Sequence, residues 1–432
     1  MAATQAIHLL AIYIFHPLLP GFLADVYYRY NFLSRKSKEE MMERTKRLAT
    51  LQKEISNQGF GGALIGYSRN IFYYTGTAQP SYLVVWPDAY TLYIRSGLDF
   101  ALRDVFIPQD RVKEERRLVK IAASFMNLVP SADRRIGVEL DILTAEQFLE
   151  IEKLFPGCEF INISPLLLEQ RKTKDASEII AIRRACQAIH AGHEAVLSTL
   201  QAGITELELA AAVENAHRLA GHEGIFFIRQ PDFFMSRGPI TSGENLFRIS
   251  GVVYTITGVG LSPAVPAGPS QREIKAGDIV IVDIPTLVNG YHADQTRTYC
   301  VGKAPPEIHS LYNDLRAIAD HLIENIRPGI TCNEIYRLAV EKAAALGRQC
   351  PFQHFGGGKR SRLIGHGIGL ELNEPPIPSE YDHSPLGDGY VIALDLHMLE
   401  ESLGVVKLED MILIREGGNE ILTQTPRDLF EV

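Results

Sequence analysis

Residues 278–301 read DIVIVDIPTLVNGYHADQTRTYCV, with Asn289-Gly290 between two strand-like runs. Such a pair favours a two-residue type I′ hairpin, whose central residues both need positive φ. The turn then sets the register. Val288 pairs with Tyr291, Thr286 with Ala293, and Pro285 with Asp294. Side chains alternate along a strand, so Asp283, two residues before Pro285, shares a face with Asp294. The two carboxylates are diagonal neighbours, about 7–8 Å apart at the backbone and closer at their tips. They repel unless positive charge stands between them. A bound cation supplies that charge; a pair of Arg or Lys partners, or a strand facing solvent, relieves it too. Arg297 falls on the opposite face in this register.

A second acidic strand pair spans residues 390–415, YVIALDLHMLEESLGVVKLEDMILIR. A turn near Glu401–Gly404 places Asp395 roughly opposite Glu409, both inside apolar runs where an unpaired acid is costly to bury. Between the two pairs lies GHGIGLELNEPP, with His366 flanked by Gly365 and Gly367. Glycine lets a backbone approach a ligand closely. A lone His is usually structural. Joined to four acids, a neutral imidazole completes an oxygen-rich site with one nitrogen, which suits Mn, Fe, Co or Zn, and two ions rather than one.

The rest of the chain frames this region. Its 432 residues suggest two or three domains. We divide them into an apolar N-terminal arm (1–35), an α/β domain (36–170) and a larger domain (171–432). Helical spacing of Met41, Leu48, Leu51 and Ile55 predicts a helix over 40–56. Strand-like runs follow at Gly62–Gly66 and Asn70–Gly76, and Pro87-Asp88-Ala89 predicts a hairpin between Tyr82–Trp86 and Tyr90–Ile94. Past the charged segment 169–175, a long helix buries Ile179, Ile182, Cys186, Ile189, Val196 and Leu200 on one face. Gly203-Ile204-Thr205 with Glu208, and Gly329-Ile330-Thr331 with Glu334, are two capping boxes, each opening a helix. They mark either an internal duplication or a chance repeat of a common helix start.

A net charge of −9 argues against nucleic acid as a partner. Cys158, Cys186, Cys300, Cys332 and Cys350 form no CxxC pair and are odd in number, so a reducing, cytoplasmic compartment is expected. No Lys or Arg precedes the apolar run 6–24, and His8, His16, Pro17 and Pro20 interrupt it. It reads as a packed arm or interface helix, with peripheral membrane contact as the alternative.

Three motifs in order, the Asp283–Asp294 hairpin ending in DQTRT, the GHGIGL stretch and Leu408-Glu409-Asp410, resemble the pita-bread metallopeptidase family. That family includes Xaa-Pro dipeptidase, aminopeptidase P, methionine aminopeptidase and the non-metal creatinase. The spacing of eleven from Asp283 to Asp294 and fourteen from Asp395 to Glu409 is similar to the family pattern. NIFYYTG looks like the creatinase-type N-terminal domain. The resemblance implies an α/β (α+β) fold: a pita-bread C-terminal domain with an internal pseudo-twofold duplication, and a smaller creatinase-like N-terminal domain. It implies Asp283, Asp294, His366, Asp395 and Glu409 as ligands of two divalent transition-metal ions, bridged by Asp294 and Glu409. It further implies a bridging water as nucleophile, Asp395 as general base, a homodimer, and a small peptide or small molecule as substrate.

The chain departs from that pattern. Asp395-Leu396-His397 stands where Glu-Pro-Gly is usual, and the shorter Asp weakens one metal position. Asn373 and Ala267 replace two histidines that hold the substrate carbonyl and the tetrahedral intermediate. Asn373 can still donate a hydrogen bond there; Ala267 cannot. Lys407 replaces an Arg, keeping the charge and losing the planar fork. The leading expectation is a metal-dependent hydrolase of C–N bonds, Xaa-Pro dipeptidase-like. One alternative is a creatinase-like hydrolase or lyase on a non-peptide molecule, with His292, His354 or His397 moving protons. The other is an inactive binding protein.

Overall fold

The structure, a computed structural model, describes residues 38–129, 134–230, 232–233, 237–251 and 255–432. The apolar arm expected at 1–35 lies outside these residues.

Helix α1 (Lys38–Asn57) buries Leu48, Leu51 and Ile55, while Met41, expected on the same face, is 44% exposed. Six strands follow: β1 (Gly62–Ile65), β2 (Ser81–Val85), β3 (Tyr90–Ile94), β4 (Val112–Glu114), β5 (Arg135–Val138) and β6 (Glu159–Asn162). They form one mixed sheet in the order β4-β3-β2-β1-β5-β6. The β2–β3 hairpin pairs Val85 with Tyr90 across the Pro87-Asp88-Ala89 turn, as its turn residues predict. Helices α2 (Ser68–Thr75), α3 (Leu98–Asp104), α4 (Leu118–Met126), α5 (Ala145–Leu154) and α6 (Ser164–Lys172) complete this part.

The expectation of a strand at Asn70–Gly76 is wrong: this segment is α2. Its aromatic and β-branched residues suit a pleated surface, but six of its eight residues are buried, so it shows neither a period of two nor an amphipathic stripe. Gly76 ends it in the left-handed region at φ 88°, its N–H donating to Phe72 O. Asn70 is held by a distant partner, donating to Glu139 Oε1 at 2.6 Å.

The larger part opens with α7 (Ala176–Thr199), whose buried face carries Ile179, Ile182, Cys186, Ile189 and Val196. Then come α8 (Glu206–Leu219), β7 (Ile240–Ser242), β8 (Ile279–Asp283), β9 (Thr286–Val288), β10 (Tyr291–Ala293) and β11 (Thr296–Cys300). The chain continues through α9 (Pro306–Asn325), α10 (Cys332–Ala345), β12 (His354–Gly356), β13 (Lys359–Arg360), β14 (Gly365–Gly367), β15 (Val391–Glu400), β16 (Gly404–Leu413), β17 (Glu420–Ile421) and β18 (Phe430–Glu431). The main sheet runs β14-β15-β16-β11-β8-β7, with β17 against β16 and β18 against β11.

This order decides for duplication. Two units of two helices and three strands, α7-α8-β7-β8-β11 and α9-α10-β14-β15-β16, meet at the β11–β16 pairing. Their helix starts repeat in detail. Gly203 N–H donates to Ile274 O and Gly329 N–H to Leu386 O. Thr205 N–H donates to Glu208, and Thr331 N–H to Glu334, closing both capping boxes.

A buried ionic cluster joins the two parts. Arg171 donates to Asn70 Oδ1 and Glu371 Oε2, each at 2.9 Å, and to Glu374. Lys174 Nζ lies 3.0 Å from Glu374 Oε1, and Tyr67 donates to Glu371 Oε1 at 2.8 Å. The charged segment at 169–175 is thus partly core. It anchors the loop after β14, which carries Asn373.

Candidate metal centre

Asn289 and Gly290 take φ of 52° and 78°, as a type I′ turn requires. The pairs Val288–Tyr291 and Thr286–Ala293 form as expected, and the same register continues to set Asp283 opposite Thr296. Asp283 and Asp294 are therefore diagonal neighbours on one face. Arg297 lies on the other, donating to Glu409 O and Asp410 Oδ1 at 2.7 Å each. On β15 and β16, Asp395 stands directly opposite Glu409. Strand β14 pairs His366 with Ala393, bringing the imidazole to the same place. All five residues expected as ligands are buried and gather at the seam of the two repeats.

They form two unlike halves. In the first, Asp294, His366 and Glu409 each offer a ligand atom, and these atoms lie within 4.8 Å of one another. His366 Nδ1 lies 3.1 Å from Gly367 O, so Nδ1 carries the proton and Nε2 is a free lone pair. Nε2 lies 3.8 Å from both Asp294 Oδ2 and Glu409 Oε1. Burial holds the imidazole below its ordinary pKa, favouring the neutral form. Glu409 Oε1 is buried and accepts no hydrogen bond from the described residues. An orphaned carboxylate oxygen, a neutral imidazole nitrogen and a second carboxylate fit a divalent transition metal. Burial first, then Asp283, pushes Asp294 well above the usual carboxylate range. Burial first, then Asp294, does the same to Glu409. A cation would relieve both.

The second half already contains a cation. Lys407, fully buried, points its ammonium between Asp283 Oδ2 at 2.5 Å and Asp395 Oδ1 at 3.1 Å, with Glu409 Oε2 at 3.6 Å. Thr255 Oγ1 also donates to Asp283 Oδ2, at 3.2 Å. Thr296 Oγ1 donates to Glu409 Oε2 at 2.8 Å. Burial pushes Asp395 up to about 6, and Lys407 opposes that rise. The residue types identified the four acids and the histidine; Lys407 stood out only as the replacement of an Arg, with no partner assigned to its ammonium. The signal for it was present: Lys407 sits in an apolar strand two residues before Glu409, hence on the same face.

Asn373 is half-buried in the loop after β14, one residue before Glu374, and Ala267 is buried. His292 is structural: Nδ1 donates to Gly369 O at 2.9 Å and Nε2 accepts from Phe227 N–H at 3.0 Å. His397 stacks on Phe355, centroids 4.8 Å apart, and burial takes it down to about 3. His354 is half-buried at the edge of β12.

Comparison with known proteins agrees with this architecture. Residues 180–416 match the metallopeptidase family M24, and residues 47–173 match the creatinase/prolidase N-terminal domain. The Xaa-Pro dipeptidase of Pyrococcus furiosus is 28% identical over 391 residues, 89% of this chain and 99% of the relative. That of Pyrococcus horikoshii is 27% identical over 394 residues, 90% of this chain and 99% of the relative. The crystal structure of the prolidase from P. horikoshii superposes with a TM-score of 0.71 at 26% identity, over 90% of this chain and 99% of the other. The Xaa-Pro dipeptidase structure from Bacillus anthracis, at 22% identity, shares the fold with a TM-score of 0.75, over 91% of this chain and all of the other.

Proposed function

The chain belongs to metallopeptidase family M24, and we propose that it is an Xaa-Pro dipeptidase-like hydrolase that cleaves the C–N bond of small peptides. The observation that carries this reading is the buried Asp294–His366–Glu409 group, whose Glu409 Oε1 has no hydrogen-bond partner among the described residues.

Asp294, His366 and Glu409 would hold a divalent cation, manganese or cobalt being the first to try. Bound there, it would supply a Lewis acid that polarises the scissile carbonyl and acidifies a water. The chain's own residues do the rest. His366 is kept neutral and correctly oriented by its Nδ1–H bond to Gly367 O. Asp395, pushed up to about 6 by burial, exchanges a proton near neutral pH and serves as the base that moves it from water to the leaving nitrogen. Asn373 serves as the donor to the substrate carbonyl. The shell of buried apolar residues on β15 and β16 keeps bulk water out.

We further read the chain as a cytoplasmic homodimer; its five cysteines, all free thiols, suit a reducing compartment. Sedimentation of the purified protein tests the dimer.

The decisive experiment is hydrolysis of Xaa-Pro dipeptides by protein loaded with Mn(II) or Co(II). Activity should vanish with a chelator and return with metal. Metal-loaded protein that cleaves no Xaa-Pro dipeptide, yet hydrolyses a non-peptide amide, would move the function to the creatinase-like alternative.

A further inference from the structure

The geometry points to a one-ion centre in which the Lys407 ammonium permanently takes the place of a second metal, between Asp283 and Asp395. This rests on the metallohydrolase reading of the same cluster and departs from the two ions that the family resemblance implies.

Three observations carry it. The first is space. A transition metal bound by Asp283 and Asp395 would sit about 2.0–2.2 Å from their oxygens. Lys407 Nζ already lies 2.5 Å from Asp283 Oδ2 and 3.1 Å from Asp395 Oδ1, in that same volume. The second is that the side chain has nowhere else to go. Lys407 is completely buried, and Thr298 Oγ1 clamps its backbone, accepting from its N–H at 2.9 Å and donating to its carbonyl at 2.6 Å.

The third is how Glu409 is used. A bridging carboxylate gives one oxygen to each ion. Here Oε2 is taken by Thr296 at 2.8 Å and faces the ammonium at 3.6 Å, while Oε1 alone remains for a metal with Asp294 and His366. Charge agrees. An ammonium and one dication bring three positive charges to four carboxylates. A second dication would bring five and press against the ammonium at contact distance. Asp395, outside the Asp294–His366–Glu409 group, lines the ammonium's pocket with Oδ1 at 3.1 Å.

The test counts ions. Full-length protein is stripped with a chelator, reloaded with Mn(II), desalted, and read by elemental analysis and by electron paramagnetic resonance. Wild type should hold one ion per chain with the signal of an isolated Mn(II). Lys407→Met, which keeps the length and removes the charge, should hold two with a spin-coupled signal. Asp283→Asn should keep the single ion, whereas His366→Ala should lose it; circular dichroism checks that each variant is folded.

Two coupled ions in wild type would overturn the proposal and leave the metallohydrolase reading standing. No ion in wild type would remove both. A folded Lys407→Met that still holds one ion would also overturn it. Where that variant does not fold, loss of the ion from Asp283→Asn does so instead.

Discussion

Asp395 and Glu409 face each other directly across the β15–β16 ladder, two buried acids where like charges repel. Among the described residues, the Lys407 ammonium on the same face is the cation that stands between such a pair and an uncompensated buried charge in the metal-free protein. Breaking a buried ion pair from one side costs about 3–5 kcal/mol. Lys407→Met should therefore lower the metal-free stability by about that amount in urea unfolding. Added Mn(II), which binds the folded state, should recover part of the loss. An unchanged urea midpoint for the metal-free variant would contradict this.

Thr296 holds Glu409 through a hydrogen bond to Oε2, leaving Oε1 for the ion. Groups that orient ligands in this way typically contribute 10–100-fold to metal affinity. Thr296→Val keeps the shape and removes the donor. Its Mn(II) affinity should fall by about 10–100-fold in a chelator competition titration, with little change in thermal midpoint.

Gly365 precedes His366 in β14, and a Cβ built there would lie 2.2 Å from Ala393 O. Gly365→Ala must push β14 away from β15 and carry the imidazole with it. A shift of about 1 Å in a reacting group can cost about 10²-fold in rate. We expect kcat/KM on an Xaa-Pro dipeptide to fall by about that factor, together with weaker metal binding. A variant with wild-type metal affinity would show that β14 absorbs the methyl elsewhere.

Arg171 is 2% exposed and neutralises Glu371 and Glu374 at the junction of the two parts. Arg171→Met leaves two buried acids short of a partner and should cost about 3–5 kcal/mol. The Arg183–Glu420 pair, each side chain 42% exposed, is the control. Arg183→Ala should change stability by about 0–1 kcal/mol. Equal losses in the two variants, measured by denaturant unfolding, would refute the argument from burial.

Burial would raise the Glu374 carboxyl, but Arg171 and Lys174 outweigh it and hold the group below its ordinary value of 4.5. A depressed folded-state pKa stabilises the fold above the unfolded value and loses that contribution as pH falls through the folded one. The thermal midpoint of wild type should thus fall below about pH 4.5. Glu374→Gln should be less stable than wild type at neutral pH and flatter on that acid limb. Parallel acid limbs would exclude Glu374 as a contributor.

Much of the site was legible because it rests on strand arithmetic. Asn289-Gly290 allows one turn type, that turn allows one register, and the period of two places Asp283 and Asp294 on one face. The short turn after Glu400 does the same for Asp395 and Glu409. Helix starts were equally plain, since Thr with Glu three residues later satisfies backbone N–H groups from within the segment. NIFYYTG was misread for the opposite reason. Its helix is stabilised by burial on nearly every side and by a bond from Asn70 to Glu139, 69 residues away.

Local sequence thus determined the turns, the registers, the caps and which residues share a face, because those depend on neighbours a few positions apart. It also singled out the charge of Lys407, in place of an Arg. It did not determine what that charge meets. A side chain's partner across a sheet depends on strand order, and the order β16-β11-β8 brings Lys407 to Asp283, 124 residues away. That the paired acids need positive charge between them, from a metal or from Arg or Lys, unless a strand faces solvent, followed from electrostatics alone. That half of this requirement is met by the chain's own ammonium, and half left to a metal, was decided only when the two repeats packed together.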